Sequence, residues 1–337
     1  MKRIFKKLIS WALAFVLVAV LMNGAFALYS RTTGWIDRDK ASTLAIYKPN
    51  SAILMGTEGR GYHRVDSRGY VNDADKLADN YIIAVGASHT QGKEIAQEKR
   101  YTDLMNAWLG YTDEAYVYNV SQDAYFFPDI AKGFSALTKE FPDSSKIIIE
   151  IGDTEFLPEK LQTALEQREY DEGQNGQNIM KGLSAKKRLV MAVKEYSPLL
   201  YNVSNKLNAL KELKSTPSSP QTFDIEEYEA VLDSVMQMMT QIYSKEIIIM
   251  YHPQVEISNE ALIVKGKETD EVFRRICEKN EITFVDMTDA FLSEYEKTSK
   301  VAYGFSNTSI GEGHLNETGH YLIAKELVEY IKEGAKQ

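Results

Sequence analysis

The sequence predicts an α/β fold: a five-stranded parallel sheet between helices, in the flavodoxin-like arrangement. The first observation is a series of short apolar runs bounded by turn residues, which is typical of buried strands. The second is that segments with apolar residues at helical spacing alternate with these runs. Such alternation favours a parallel sheet with right-handed crossovers. The predicted strands cover residues 81–85, 115–120, 146–151, 246–251 and 282–285.

Composition and charge narrow the class of protein. The chain has 337 residues, of which 44% are hydrophobic and 26% are charged, a balance typical of globular proteins. The formal net charge is −9. Lys2, Arg3, Lys6 and Lys7 are the only charges before residue 29, which leaves −13 on the remaining chain. An acidic body of this kind argues against nucleic acid as a partner, because phosphate contacts need clustered cations.

Residues 8–28 form an almost continuous apolar run after a basic N-terminus. Two interpretations are open: an uncleaved transmembrane anchor whose basic end stays in the cytoplasm, or a signal peptide cleaved after Ala25-Phe26-Ala27. We favour the anchor, because the run is long enough to span roughly 30 Å as a helix. Both interpretations place the remaining chain outside the cytoplasm, and the anchor predicts a single-pass protein of the cell membrane.

Two further regions follow residues 1–28. Residues 29–80 are rich in turn residues and predict a juxtamembrane segment of loops with a β-hairpin; His63 within them is interpreted as a surface histidine without a role. Residues 81–337 are predicted to form the main domain. It holds the only cysteine, Cys277, whose apolar helical neighbours predict a buried structural thiol.

The segment between the third and fourth predicted strands, about residues 157–245, is far longer than one crossover needs. Apolar residues at helical spacing predict helices there, separated by flexible breaks at residues 169–178 and 215–223. We expect a helical insertion at the carboxyl edge of the sheet. It is either a lid or docking surface, or a set of helices that cover the sheet. The Met-rich stretch 235–239 is expected to belong to the core.

The first candidate functional residue is a serine that follows the first predicted strand. The apolar run ends at Gly86, and Ser88 lies just beyond that break; a helix that begins near Tyr101 and ends at Gly110 comes next. Open parallel sheets place their chemistry at the carboxyl ends of the strands. A serine at this turn presents an exposed hydroxyl, beside a helix N-terminus that stabilises developing negative charge.

The second candidate is a histidine near the C-terminus, in the sequence GEGHLNETGHYLIA. Asn316 is a suitable N-cap for a helix over about residues 317–332, and this cap would hold the loop that carries His314. A histidine fixed against the sheet edge can act as general base to Ser88. His320 is interpreted as a helix-packing residue.

These two blocks resemble those of the SGNH hydrolases, also called the GDSL family. That family has Gly-Asp-Ser where this chain has Gly86-Ala87-Ser88. Its closing block has histidine, a small residue or proline, asparagine and a Gly-His or Gly-Tyr pair, which this chain matches with His314, Leu315, Asn316, Gly319 and His320. The resemblance covers roughly residues 60–335. It implies the flavodoxin-like SGNH fold, a serine nucleophile, a histidine base and ester chemistry.

Three family positions differ in this chain. The family's acid lies three residues before the histidine, where this chain has Gly311, so Glu312 is the candidate that orients His314. The oxyanion glycine of the second block aligns with Ala124, whose backbone N–H can donate equally well. The oxyanion asparagine of the third block aligns with Thr154, whose shorter hydroxyl can also donate.

Asn316 completes the predicted oxyanion and substrate-binding set. The carboxylates of Asp153 and Glu155 are expected to be exposed turn residues that point away from the site. His252, which follows the fourth predicted strand, either lines the pocket or packs within a loop. The residues give no reason to expect a metal or a cofactor.

Two functions from different classes follow from this pattern. The first is a serine esterase or O-acyltransferase, for acetyl groups, that acts on an extracellular or envelope polysaccharide through an acyl-enzyme. The second is a degenerate SGNH scaffold, a non-catalytic accessory subunit of a membrane complex for polysaccharide synthesis or modification. The acid-x-histidine spacing and the anchor resemble membrane-linked polysaccharide O-acetyltransferases, which implies a multi-spanning acyltransferase or polysaccharide synthase as partner. The acidic domain argues against a strongly anionic glycan.

Overall fold

The computed structural model describes residues 2–36, 46–171, 185–212, 223–259 and 261–334. The chain begins with helix α1 (Lys2–Tyr29), whose apolar side chains are largely exposed. By length and composition this helix is apolar enough to cross a membrane. A long apolar helix outside the protein core agrees with the predicted anchor and equally with a signal sequence.

Two antiparallel hairpins follow α1. Strand β1 (Trp35–Ile36) pairs with β2 (Ile46–Tyr47), and β3 (Ala52–Met55) pairs with β4 (Gly61–Arg64), so this region contains the predicted hairpin. The β3–β4 hairpin is joined to the chain that leaves α1. Arg31 and Leu54 exchange both of their backbone hydrogen bonds, at 2.8 and 2.9 Å.

His63 in β4 is fully buried, so its interpretation as a surface histidine is wrong. Its Nε2 lies 3.0 Å from the carbonyl oxygen of Lys93. Burial lowers the pKa of His63 to about 3, which keeps the ring neutral. The hairpin packs this face onto the segment after the serine turn, and alternation within a short strand does not show which face is covered.

Five of the later strands form the central sheet. The strands are β5 (Leu77–Val85), β6 (Ala115–Asn119), β7 (Lys146–Ile151), β8 (Glu246–Tyr251), β9 (Val255–Ser258), β10 (Ala261–Val264) and β11 (Thr283–Asp286). Strands β9 and β10 pair with each other, and the others form a parallel sheet in the order β6-β5-β7-β8-β11. Counted along the chain this is the order 2-1-3-4-5, so the predicted flavodoxin-like arrangement is confirmed.

Helices cover both faces of this sheet. The helices that follow α1 are α2 (Ser88–Gln91), α3 (Tyr101–Leu109), α4 (Phe127–Glu140), α5 (Pro158–Asp171), α6 (Ala185–Tyr196), α7 (Pro198–Glu212), α8 (Ile225–Ile242), α9 (Glu268–Lys279), α10 (Thr288–Thr298) and α11 (Glu317–Gly334). Within β5, Ile83 and Val85 belong to the core under α4, α5, α8 and α9, whereas Ile82 and Ala84 belong to the core under α3, α10 and α11. This period of two is expected for a strand that is buried on both faces.

Helices α5 to α8 make up the predicted insertion. Helices α5 and α8 cover the sheet, and Met236 and Met239 of α8 are fully buried, so the Met-rich stretch belongs to the core as expected. Helices α6 and α7 lie against each other and α7 lies against α1. The two predicted breaks lie mostly outside the described residues, namely at residues 172–178 and 215–222. Cys277 is a buried free thiol, as predicted.

Candidate active site

Tight packing around Gly86, just after β5, forms the serine turn. A Cβ on Gly86 would lie 2.4 Å from Oε2 of Glu150 and 2.6 Å from Oγ1 of Thr90, so a larger residue does not fit without a shift. The backbone N–H of Ala87 donates to the same carboxylate oxygen at 2.8 Å. These contacts fix the start of α2 and leave Ser88 half-buried at the carboxyl edge of the sheet, where open α/β folds bind ligands.

Ser88 and His314 meet across this edge. Oγ of Ser88 lies 2.9 Å from Nε2 of His314. Asn316 holds the histidine loop: its Oδ1 accepts the backbone N–H of Thr318 at 2.9 Å and so caps α11, and its Nδ2 donates to two backbone carbonyls at 2.8 and 3.0 Å. The Asn316 side chain therefore positions the loop, as the predicted N-cap would, and its place in the substrate-binding set stays a prediction.

The carboxylate that orients His314 is Glu58, in the turn between β3 and β4. Its Oε2 lies 2.8 Å from Nδ1 of His314, and its Oε1 accepts the backbone N–H of His314 at 2.9 Å. A neutral His314 that donates Nδ1–H to Glu58 presents an unprotonated Nε2 to Ser88, as a general base requires. The three side chains form one continuous chain of hydrogen bonds.

Glu312, which the sequence predicted in this role, is exposed, and Glu58 takes the position at Nδ1. The prediction assumed an extended segment, in which side chains two residues apart point to one side. Gly311 and Gly313 instead have φ of 88° and 79°, so the backbone turns at both. Gly313 also makes room for the acid, because a Cβ there would lie 2.4 Å from Oε1 of Glu58.

The charges around His314 favour its protonated form. Burial by itself lowers the pKa of His314, but the hydrogen bond to Glu58 and the negative charges of Glu94, Glu58 and Asp123 outweigh burial and raise the pKa to about 9. Oε1 of Glu94 lies 4.0 Å from Nδ1, so a second carboxylate faces the ring. Burial by itself raises the pKa of Glu58, yet its hydrogen bonds with His314 bring that pKa below its usual value.

A buried network supports the serine turn from within the sheet. Oε2 of Glu150, in β7, accepts from the Thr90 hydroxyl at 3.1 Å as well as from Ala87. Oε1 of Glu150 lies 2.8 Å from Nε2 of His252, whose Nδ1 lies 2.7 Å from the Tyr303 hydroxyl. Burial raises the pKa of Glu150, but the hydrogen bond and charge of His252 outweigh it and lower that pKa. His252 thus packs behind the serine turn, the second of its two predicted placements.

His89 connects the serine turn to the histidine loop. Its Nδ1 accepts the backbone N–H of Leu315 at 3.2 Å, and its ring centroid lies 5.3 Å from that of His314 and 4.6 Å from that of His252. Burial lowers the pKa of His89 well below its usual value. A neutral His89 that accepts at Nδ1 carries its proton on Nε2. The ring therefore adds a fixed, uncharged wall between the two loops.

The predicted oxyanion residues occupy different surroundings. Ala124 lies in an exposed turn after β6 and has a φ of 56°. This left-handed conformation favours glycine, the residue that the SGNH family has at this position. Thr154 is fully buried, and its Oγ1 lies 2.5 Å from Oδ1 of Asp270 and 2.8 Å from Oγ1 of Thr269 in the first turn of α9. The predicted side-chain donor role of Thr154 is therefore corrected, because α9 engages its hydroxyl.

The neighbouring carboxylates behave as expected of exposed turn residues. Asp153 and Glu155 share one partner, Nζ of Lys267, at 2.7 and 3.5 Å. All three side chains are at least two-fifths exposed. This ion-pair cluster lies on the α9 side of the β7 loop, so its negative charge is partly neutralised there.

Sequence reasoning missed Glu58, Glu94 and Glu150. Glu58 precedes His314 by 256 residues, in a glycine-rich turn that holds no motif, so nothing local marks it. Glu94 follows the serine turn in a polar loop, where a carboxylate gives no signal of a functional role. Glu150 gave a usable signal: it interrupts the apolar run KIIIEI of a strand predicted to be buried on both faces, where a carboxylate needs dedicated partners.

A cavity of about 350 Å³ lies beside the serine turn. One wall is the loop after β6, where the backbone N–H of Gln122 donates to the carbonyl of Gly86 at 3.1 Å. Another wall is Lys93, which pairs with the Asp123 carboxylate. The hydroxyl of Thr33 is buried in the lining and has no hydrogen-bond partner among the described residues. Further lining comes from Thr32, Gly34, Ile46, Tyr47, Lys194, Tyr201 and Asn205.

No protein-family model matches the chain, and no curated protein matches it. Several solved structures do. The psychrotrophic esterase EstA from Pseudoalteromonas sp. is 13% identical, with a TM-score of 0.39 over 77% of this chain and 100% of its own. An acetyl xylan esterase is 15% identical, with a TM-score of 0.39 over 74% of this chain and 99% of its own. The periplasmic domain of a lipopolysaccharide acetyltransferase from Salmonella ser. Paratyphi A is 11% identical, with a TM-score of 0.36 over 76% of this chain and 85% of its own.

Strand order and site geometry together define the class of protein. The parallel sheet in the order β6-β5-β7-β8-β11 carries Ser88 after its first strand, and His314 lies just before the last helix. This is the arrangement that the two sequence blocks predicted. The chain is an α/β protein with the flavodoxin-like strand order and a serine–histidine pair at the carboxyl edge of its sheet.

Proposed function

We propose that this protein is a serine enzyme that cleaves or transfers O-acyl esters. Ser88 is the nucleophile, His314 the general base, and Glu58 the group that orients the histidine. The observation that carries the proposal is the continuous chain of hydrogen bonds through these side chains, 2.9 Å from Ser88 to His314 and 2.8 Å from His314 to Glu58. Three distant segments thus bring together a nucleophile, a base and an orienting acid in the order that acyl transfer requires.

The first half-reaction forms an acyl-enzyme. Nε2 of His314 takes the proton of the Ser88 hydroxyl while Oγ attacks the carbonyl carbon of the ester. The tetrahedral intermediate collapses when the C–O bond to the alcohol breaks, and His314 gives its proton to the departing oxygen. Glu58 keeps Nδ1–H of the imidazole directed at its carboxylate and stabilises the imidazolium that forms between the two proton transfers.

The second half-reaction frees Ser88. A water or a sugar hydroxyl loses its proton to Nε2 of His314 and attacks the acyl carbonyl; the bond to Oγ breaks, and His314 returns the proton to Ser88. Water yields the free acid, and a sugar hydroxyl yields a new ester. The backbone N–H groups of Ser88 and Ala124 are the proposed donors to the oxyanion in both steps, because a main-chain donor does not depend on the side chain.

The proposed substrate is an O-acetylated glycan of the cell envelope. The cavity beside the serine turn, which Ser88 and His314 themselves do not line, offers the hydroxyl of Thr33, the amide of Asn205 and the aromatic ring of Tyr201, groups that suit a neutral sugar. Its lining also includes the charged side chains of Lys93, Asp123 and Lys194. The net charge of −13 on the chain after residue 28 argues against a strongly anionic glycan, as in the sequence analysis. Helix α1 is proposed as a membrane anchor that keeps the domain outside the cytoplasm, beside a multi-spanning acyl donor protein if the reaction is transfer.

One observation favours the second candidate, a non-catalytic SGNH scaffold. The hydroxyl of Thr154 bonds to α9, so the position of the family's oxyanion asparagine holds no side-chain donor. Loss of one such donor costs about 2.7–4 kcal/mol of transition-state stabilisation. A scaffold would retain the fold and bind its partners without turnover.

Ester content of the envelope separates these possibilities. The chromosomal copy is replaced by the Ser88→Ala variant, and ester-linked acetyl on envelope glycans is measured. The control is Ser234→Ala, which removes an exposed hydroxyl from α8. A rise with Ser88→Ala alone indicates an esterase, and a fall indicates a transferase. Unchanged ester content contradicts the enzyme and favours the scaffold.

A further inference from the structure

Helices α6 and α7 expose a row of apolar side chains. None of the described residues of these helices belongs to the buried clusters that form the core. The exposed side chains recur at intervals of three, four or seven residues, which places them along one stripe on each helix. They are Leu189, Val190, Val193 and Tyr196 on α6, and Leu200, Val203 and Leu207 on α7, with exposed fractions from 38% to 72%.

The corner between these two helices is hydrogen-bonded to α1. Asn23 is a polar residue within the apolar run, and its Oδ1 accepts from Oγ of Ser197 at 3.1 Å and from the N–H of Leu199 at 3.2 Å. Its Nδ2 donates to the carbonyl of Tyr196 at 3.3 Å. The interior amide of α1 is therefore satisfied by the corner, which ties α6 and α7 to one level of α1.

That level lies within the outer part of the apolar helix. Asn23 precedes the last residue of α1, Tyr29, by about six residues, or roughly 9 Å at 1.5 Å per residue. Interfacial helices bury their apolar face about 5–10 Å into the boundary between headgroups and acyl chains. If α1 spans the bilayer, the corner of α6 and α7 lies at the depth of that boundary.

The charge of these helices differs from that of the rest of the domain. Their sequences contain six cations and only two carboxylates, Glu195 and Glu212, although the whole chain carries a net charge of −9. A basic amphipathic segment is attracted to anionic lipid headgroups. The cations and the exposed apolar side chains of α6 and α7 therefore both favour lipid as the occupant of this surface.

We infer that the apolar face of α6 and α7 lies in the outer leaflet of the membrane that α1 crosses, with lipid as its occupant. This inference rests on the proposed role of α1 as an uncleaved anchor. The face adjoins α1, which is itself uncovered by protein in its apolar window, so one lipid surface covers both. Two helices at the interface and one across it hold the domain in a fixed orientation.

This orientation places the candidate active site near the membrane surface. Lys194 and Tyr201 line the cavity beside the serine turn, so one wall of that cavity belongs to the membrane-bound helices. The β3–β4 hairpin, which carries Glu58, is joined to the segment after α1 through the backbone hydrogen bonds between Arg31 and Leu54. A substrate that reaches Ser88 is therefore bound close to the membrane surface.

Depth-dependent quenching in lipid vesicles tests the inference with the full chain. A nitrobenzoxadiazole probe is attached to Leu200→Cys on α7, to Val16→Cys on α1 and to Ile263→Cys on β10, three exposed apolar positions. Cys277 is fully buried, and unsubstituted protein measures any label there. The vesicles contain anionic lipid and lipid with a doxyl quencher. Circular dichroism confirms that each variant is folded, whether or not the protein hydrolyses esters.

We expect loss of most of the fluorescence at Val16 and Leu200 and little loss at Ile263. An unquenched probe at Leu200 beside a quenched probe at Val16 overturns the inference but leaves the anchor intact. Unquenched probes at both positions overturn the anchor as well. A probe at Leu200 that is blue-shifted but unquenched indicates a protein surface: a second copy if this occurs in pure vesicles, another protein if it occurs only in native membranes. Both outcomes contradict a lipid occupant.

Discussion

Both carboxylate oxygens of Glu58 are bonded to His314, one to the ring Nδ1 and one to the backbone N–H. A single side chain thus fixes the tautomer of the imidazole and the position of the loop that carries it. Because Glu58 lies in the hairpin next to α1, the candidate site is complete only when the segment after α1 is docked on the α/β domain. The region predicted as a juxtamembrane segment is in this sense part of the site.

Removal of the Glu58 charge tests this arrangement. In Glu58→Gln the amide can donate to Nδ1, which favours the tautomer with a proton on Nε2, so His314 no longer accepts from Ser88. We expect kcat for ester hydrolysis to fall by about 10³–10⁴-fold, as for loss of the orienting acid in serine hydrolases. Steady-state kinetics on a soluble acetyl ester measures the change.

Glu312→Gln is the matched control for that variant. Glu312 is exposed and lies two residues before His314, and we expect its kcat to remain at the wild-type level. The opposite result, with Glu312→Gln inactive and Glu58→Gln active, would restore the assignment made from the sequence.

The pH dependence of activity follows from the raised pKa of His314. With a pKa of about 9, the imidazole of the free enzyme is protonated at neutral pH and cannot accept a proton from Ser88. We expect kcat/KM to rise with pH up to about 9. In Glu94→Gln one of the nearby negative charges is lost, so the rise should occur at lower pH. A profile that is flat from pH 6 to pH 9 would contradict the charge environment described for His314.

The same pKa values set the pH dependence of stability. The folded-state pKa of His314 is raised above 6.5, so its contribution is fully present below pH 6.5 and is lost as the pH rises through about 9. The pKa of Glu58 is lowered, so its contribution is present above its usual value of 4.5 and is lost as the pH falls below that. Urea titrations should show the unfolding free energy falling more between pH 6.5 and 9 for wild type than for Glu58→Gln. Equal slopes would show that the pair does not couple folding to protonation.

Alanine variants of two glycines near His314 distinguish the effect of backbone strain from the effect of displacing Glu58. Both have a left-handed φ, 88° at Gly311 and 79° at Gly313, so alanine strains each by roughly 1 kcal/mol or more. A Cβ at Gly313 meets Glu58 at 2.4 Å, whereas one at Gly311 meets nothing closer than 3.6 Å. We expect both alanine variants to lose similar stability in thermal melts, but only Gly313→Ala to lose most of its kcat. Equal kcat losses would show that Glu58 is not the sensitive neighbour.

Glu150 is expected to position the serine turn. Glu150→Gln removes the charge that accepts from Ala87 and Thr90 and that pairs with His252. An unsatisfied buried group costs about 1–3 kcal/mol, so we expect a lower unfolding free energy together with slower acylation of Ser88. Glu246→Gln on β8 is the control, because Glu246 also bonds to partners but lies at the other end of the sheet. If both variants lose stability but acylate at the wild-type rate, Glu150 has only a structural role.

The fold could be predicted because it depends on patterns within the sequence. Each strand of the central sheet is an apolar run, and the observed bounds of β7 and β8 coincide with the predicted ones. Ser88 and His314 lie in short motifs beside the ends of such elements. Asn316 was predicted as an N-cap for the same reason, since capping is decided within a few residues.

The remaining parts of the site depend on contacts between distant segments. Glu58 reaches His314 only because the β3–β4 hairpin docks on the domain, and Thr154 turns from the site only because Asp270 lies in the adjacent first turn of α9. The assignment of Glu312 failed for a local reason: it assumed extended backbone between two glycines that adopt left-handed φ. A glycine on each side of a candidate acid is a warning against side-chain alternation.

The account depends most on Ser88 being a nucleophile that His314 activates, and covalent capture measures this directly. The full-length protein is treated with a fluorophosphonate at pH 8 to 9, and the adduct is located by peptide mass spectrometry, with Ser88→Ala and His314→Ala as controls. The account predicts one stoichiometric adduct on Ser88, absent from Ser88→Ala and formed much more slowly in His314→Ala. Absence of an adduct on Ser88 in folded wild-type protein, or equal rates in wild type and His314→Ala, would contradict it.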